Sequence, residues 1–229
     1  MNAEEYLSQN PRLNAGLLQV LRRGTADLFH AGNSGVFLRD TISGAYMLSC
    51  SDATLGRRWL REQEAAPYTL LHICSHELAE YAMRRYHFST ILECLQAVWE
   101  GERPQLTDRL TIREATREEL PLIFSHYNKL ELAELEQIRR LNSLFVAFFE
   151  GHFVGFVGCH LEGSIGLLKI LPKYRGQGFA TELEAFMICR TLDKGLFAFG
   201  QVETWNKASF ALQRKLGMQL SDETLYWLF

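Results

Sequence analysis

The sequence predicts a mixed α/β (α+β) protein in two parts, residues 1–104 and 105–229. Three observations predict it. Short apolar runs of strand length alternate along the chain with stretches whose apolar residues recur at helical spacing. One such run, residues 167–171, leads through a glycine-rich turn directly into a helical pattern. Between the two parts stands Gly101-Glu102-Arg103-Pro104-Gln105, which is short, polar and turn-forming, as a boundary should be.

Taken in order, residues 1–24 read as polar helix, with Pro11 separating two short pieces. Leu28-Phe29, Val36-Phe37-Leu38 and Tyr46-Met47-Leu48 are apolar runs punctuated by Gly32-Asn33, Gly35 and Ser43-Gly44, the pattern of a strand meander with tight turns. Ser51-Asp52 can start a helix carrying Leu55, Trp59 and Leu60 and fraying near residues 65–67. A short strand over 69–74, Ser75 as an N-cap and a helix over 77–85 follow, and residues 87–99 are a further apolar stretch whose type the pattern leaves open. Beyond the boundary, residues 110–113 alternate as a strand. Thr116 and Glu119 form a capping box for the next helix, whose start Pro121 pushes a residue or two later. A second helix spans 130–141, and runs 144–149 and 153–159 pair around Glu150-Gly151.

The chain is organised around residues 166–180. The apolar run there ends at Pro172, which has no N–H for a ladder. Arg175-Gly176-Gln177-Gly178-Phe179-Ala180 then opens a helix on which Phe179, Leu183, Phe186 and Arg190 share a face, with Gly195 just beyond its end. A strand, a glycine-rich turn and a helix together suit an anion: the first helical turn has unpaired N–H groups and partial positive charge, and glycine lets phosphate oxygens approach the backbone. The turn lacks the Gly-Lys-Ser/Thr of a P-loop, and Thr181 stands where a dinucleotide fingerprint has its third glycine. About thirty residues on comes Asn206-Lys207-Ala208-Ser209-Phe210-Ala211-Leu212-Gln213-Arg214-Lys215-Leu216-Gly217-Met218. It reads as a compact helix N-capped by Asn206, with Ala208, Leu212 and Leu216 as its apolar face and Gly217 closing it.

These two segments, in this order and spacing, resemble the GNAT acyltransferase superfamily: Arg175, Gly178 and Ala180 match its Arg-x-x-Gly-x-Ala loop. The resemblance covers roughly residues 110–229 and is nearest to the FR47-like and glycine-N-acyltransferase-like branch. It implies a GNAT fold, a twisted mixed sheet with flanking helices, and transfer of an acetyl group from acetyl-CoA to a primary amine of a small molecule or amino acid by direct attack. The cofactor's pyrophosphate would lie on Arg175, Gly176, Gln177, Gly178, Phe179 and Ala180. Its pantetheine arm would pair with the backbone of Leu168, Lys169 and Ile170, where this strand splays from the next over 199–205, and Asn206 and Ser209 would touch the arm or cap their helix. Some members of the branch carry a degraded second copy of the fold in the amino-terminal half. Residues 1–104 have no phosphate turn, so such a copy and an acceptor-binding or interaction module both fit there.

Direct attack needs a neutral amine, hence a base. Glu162, where this branch often places an acid, His160 two residues before it, and Glu203 on the following strand are the candidates; His160 and Glu162 would share one face if the strand continued. The tyrosine that many members use to protonate the leaving thiolate is replaced by Gln213. Either solvent assists the thiolate, or another group such as Tyr226 does. The missing tyrosine also motivates an alternative, a non-catalytic acyl-CoA sensor.

Composition bounds the rest. A net charge of −3 offers no attraction to nucleic acid or anionic membrane. The first residues have neither a basic start nor an apolar stretch, and the longest apolar region is interrupted by Glu150, Gly151 and His152, so a cytoplasmic protein with no membrane span is expected. Five scattered cysteines without a Cys-x-x-Cys pair read as reduced thiols. His72 and His76, four apart with Glu77, Glu80 and His87 near, would need one helix to share a metal; a strand at His72 breaks that geometry, and no metal is expected. A monomer or homodimer is expected.

Overall fold

A computed structural model describes residues 1–63, 67–127 and 129–229. The expected fraying at residues 65 and 66 lies outside them. The first helices are α1 (Ala3–Leu7), whose Asn2 and Glu5 form a capping box, and α2 (Ala15–Arg23), which stops at left-handed Gly24. Three antiparallel strands follow, β1 (Ala26–Gly32), β2 (Gly35–Asp40) and β3 (Tyr46–Cys50). Helix α3 (Ala53–Glu62) crosses over to β4 (Leu71–Ile73), which runs parallel to β3. Ser75 caps α4 (His76–Tyr86) through the Leu78 N–H. The undecided stretch is a strand, β5 (Ile91–Val98).

After the polar connection comes β6 (Thr111–Glu114). Glu119 closes the expected capping box on the Thr116 N–H at 2.8 Å, and a short 3₁₀ turn there lets Pro121 fall in the first turn of α5 (Leu120–His126), where its missing N–H costs nothing. Helix α6 (Leu132–Arg140) leads to the hairpin β7 (Leu144–Phe149) and β8 (His152–Cys159), then β9 (Ile165–Ile170). Helix α7 (Phe179–Asp193) crosses over to β10 (Phe199–Glu203), followed by α8 (Lys207–Leu216) and β11 (Gln219–Leu228).

The chain forms two compact units that are not contiguous in sequence. One comprises Met1–Val98 with Gln201–Phe210 and Gln219–Phe229; the other comprises Trp99–Gly200 and Ala211–Met218. The first unit has strand order β1-β2-β3-β4-β11-β5, with β11 antiparallel to both β4 and β5. Its core gathers Phe37, Leu48, Trp59, Leu60, Ile73 and Leu78. The second has the order β9-β8-β7-β6, and its core of Leu120, Ile123, Leu135, Ile138, Val146 and Phe156 lies under α5 and α6.

The order of elements repeats. Two helices, a three-stranded antiparallel meander, a crossover helix to a parallel strand, then a helix and a strand occur as α1 to β5 and again as α5 to β11. The two crossover junctions differ in chemistry. Before α3 there is no glycine-rich turn: Asp52 places Oδ1 on the N–H groups of Thr54 at 2.8 Å and Leu55 at 3.1 Å. The helix start that could receive an anion is thus filled by the chain's own carboxylate.

Candidate cofactor and active site

Strand β9 pairs with β8 along most of its length but meets β10 in a single register pair, Gly200 with Ile165. Within its unit, the second edge of β9 is therefore unpaired from Gly166 onward, Leu168, Lys169 and Ile170 included. A bulge interrupts the β8–β9 register, and buried Leu167 takes φ +50° within it. Pro172 ends the strand and starts a 3₁₀ turn to Tyr174. Arg175 folds back, its Nε donating to Ile170 O at 3.2 Å. Gly176 and Gly178 have φ +76° and +83°, conformations that cost an L-residue strain, so glycine is required at both. The first hydrogen bond of α7 runs from Glu182 N–H to Gly178 O at 3.2 Å, and the N–H groups of Gly176 through Thr181 have no backbone acceptor among the described residues.

Arg109 adds a cation that local sequence does not reveal. Its Nη1 donates to Gln177 O at 3.0 Å, its guanidinium lies over the Phe179 ring at 5.1 Å, and its Nη2 would stand 3.2 Å from a Cβ on Gly178. Glu182 holds it there. This carboxylate, buried in the first turn of α7, accepts from Arg109 Nε at 3.2 Å, Thr107 Oγ1 at 2.5 Å and Leu110 N–H at 2.8 Å. A buried charge with three donors is satisfied, and it ties the segment before β6 to the turn.

The proposed bases fall in different settings. His160 and Glu162 do not share a strand face: β8 ends at Cys159, and a turn closes through Gly163 N–H to His160 O and His160 N–H to Ser164 O, both 2.9 Å. The turn puts the His160 ring against Gly166, where a Cβ would come within 2.6 Å of Nε2. Glu162 is buried and accepts the Ser164 hydroxyl. Glu134 of α6, unremarked in the sequence, joins them electrostatically. Burial raises its pKa, His160 opposes the rise, and the charges of Glu162 and Glu131 add to it. Glu203 and Tyr226 belong to the other unit, on β10 and β11. The Tyr226 hydroxyl pairs with Thr224 Oγ1 at 2.7 Å and Glu93 at 3.4 Å, and burial raises its pKa. Asn206, also in that unit, caps α8 by accepting from Ser209 N–H at 3.1 Å.

His72 lies in β4, fully buried and edge-on to Trp227 at 4.9 Å, with burial lowering its pKa to about 3; His76 begins α4. They share no helix, and no group of three or more metal-ligating side chains occurs among the described residues. No helix among them is long and apolar enough to cross a membrane.

Residues 109–218 match the model of the Acetyltransferase (GNAT) family. That match spans a little under half of the chain. The fold of the chain recurs in solved structures at low sequence identity. A GCN5-related N-acetyltransferase-like protein from Streptococcus suis aligns over 100% of both chains at 15% identity, TM-score 0.56. A GCN5-related N-acetyltransferase from Kribbella flavida aligns over 94% of this chain and 93% of its own at 16% identity, TM-score 0.57. A Drosophila protein aligns over 85% and 72% at 18% identity, TM-score 0.64. No curated protein matches the sequence.

Gln213 takes an unexpected place in the second unit. Ala208, expected on the apolar face of α8, is exposed, and the buried position is Gln213. Its Nε2 donates at 2.6 Å to Oε1 of Glu184, itself 2% exposed on α7. Glu184 Oε2 and Gln213 Oε1 have no hydrogen-bond partner among the described residues. Burial raises the Glu184 pKa to about 7, the Gln213 bond opposing it. Once protonated, Glu184 has a proton to give, and Gln213 Oε1 is a free acceptor beside it. An acid–amide pair of this kind would satisfy both.

Proposed function

We propose that the segment matching the GNAT family, residues 109–218, is an acyltransferase domain that binds acetyl-CoA and transfers the acetyl group to a primary amine of a small molecule or amino acid by direct attack in a ternary complex. The observation that carries this reading is the run of N–H groups from Gly176 to Thr181 at the start of α7, without backbone acceptors among the described residues, behind a strand edge left unpaired within its unit. A diphosphate would sit on those amides with Arg109 and Arg175 beside it. The pantetheine amides would pair with the free edge at Leu168, Lys169 and Ile170, as an added strand does. The acyl carbonyl would then be held at the β9 edge, near the turn that carries Glu162 and His160.

In the chemical step the amine nitrogen attacks the thioester carbonyl, the C–S bond breaks, the amine loses a proton and the thiolate gains one. Glu162, within reach of Ser164 and coupled to Glu134, is the proposed acceptor of the amine proton, directly or through water. Steady production of free thiol from acetyl-CoA across a panel of small amines tests the reading. Turnover with at least one amine supports it, and tight CoA binding with no turnover under any amine favours the sensor. The burial of Gln213 against Glu184, where the resemblance implies a tyrosine, is what supports that second reading.

The amino-terminal unit, we further propose, is a degenerate copy of the same fold: its elements recur in the same order, and Asp52 fills its anion position. A cytoplasmic location and a monomer or homodimer complete the reading.

A further inference from the structure

Beside the glycine-rich turn lies a pocket of about 210 Å³, lined among others by Leu106, Thr107, Arg109, Gly178, Thr181 and Lys215. It is too small for a whole cofactor and large enough for one of its groups. Two cations meet there, and they are not equivalent. Arg109 is balanced by the buried carboxylate of Glu182. Lys215, exposed near the end of α8, makes no ion pair among the described residues. The pocket therefore holds one uncompensated positive charge next to the N-terminal turn of α7, a combination that selects an anion.

We propose that this pocket recognises the phosphomonoester on the ribose of coenzyme A, with Lys215 as the residue that reads it. The inference rests on the acyl-CoA reading above. If the diphosphate occupies the amides of 176–181, the second, separate phosphate of the same nucleotide needs a cation of its own a short distance away. Gly178 borders both places. Because Arg109 already carries Glu182, Lys215 supplies the charge that a monoester, close to doubly ionised at neutral pH, requires.

The experiment compares coenzyme A with 3′-dephospho-coenzyme A by calorimetry on the full chain, wild type and Lys215→Glu. Lys215 is a surface side chain, so the variant should fold. Wild type is expected to bind coenzyme A about tenfold tighter or more, the scale of a charged hydrogen bond. In Lys215→Glu that preference should vanish or invert while the affinity for the dephospho compound stays within about threefold. Lys215→Arg should keep the preference. Equal wild-type affinity for the two compounds, or a Lys215→Glu variant that weakens both alike, overturns this inference and leaves the acyl-CoA reading standing. If wild type binds neither compound, the acyl-CoA reading falls and takes this one with it.

Discussion

Gly178 answers two demands at one position: a left-handed backbone at φ +83° and clearance from Arg109, whose Nη2 would meet a Cβ at 3.2 Å. Gly178→Asp adds strain of about 1 kcal/mol and sets a carboxylate against the free amides. We expect coenzyme A binding to weaken by about a hundredfold or more, with far-ultraviolet circular dichroism unchanged. Normal affinity in that variant would mean that the nucleotide binds elsewhere. Glu162→Gln keeps the shape of the turn and removes a proton acceptor, so kcat should fall about a hundredfold while the Kd for coenzyme A holds steady. A kcat within twofold of wild type clears Glu162 of the role. The turn was readable from the sequence because left-handed positions leave a local trace, glycine. Arg109 was not, because the carboxylate that aims it lies 73 residues away. Glu134 was missed for the same reason: its neighbours His160 and Glu162 are reached only through the fold.

Between α7 and α8 the decisive contact is the acid–amide pair. Glu184 has an ordinary value of 4.5 and a folded value of about 7, so the native state holds its proton more tightly. Stability from this source is fully present below pH 4.5, declines as pH rises, and is lost by about pH 7, a change of about 3 kcal/mol. Glu184→Gln replaces the neutral acid with a second amide that can give and accept the same bonds. It should flatten the fall in Tm between pH 5 and pH 8.5 and raise stability at pH 8 by about 1–3 kcal/mol. An unchanged pH slope would show that Glu184 is charged throughout. Helix starts were legible because their caps are local: Asp52, Ser75 and the Thr116–Glu119 box all stand where expected. Strand β5 was not, because one end is largely exposed and the other is buried at consecutive positions, which blurs any period of two. That Gln213 faces inward was not legible, because a polar residue on the inward face of a helix breaks the pattern that finds such faces.

For the molecule as a whole, the repeat of element order predicts one nucleotide site, not two. Titration with coenzyme A should give one equivalent per chain, since Asp52 occupies the corresponding helix start in the amino-terminal unit. Two equivalents would show that this unit binds nucleotide as well. The fold class and the run of elements around the glycine-rich turn could be read from the residues. The grouping could not: the contacts pass from one unit to the other after Val98 and return Gln219–Phe229 to the first. Nothing near residues 219–228 says that their partners are Ile91–Val98 and Leu71–Ile73, because strand pairing over such separations leaves no mark on neighbouring sequence.

Strand β11 lies between β4 and β5, so the amino-terminal unit encloses a segment made more than a hundred residues later than its own first strands. During synthesis, that unit must wait with a gap in its sheet until the intervening segment has emerged, and closing so long a loop is slow. Two exposed strand edges stay open meanwhile, a vulnerable interval in which association with another nascent copy competes with completion.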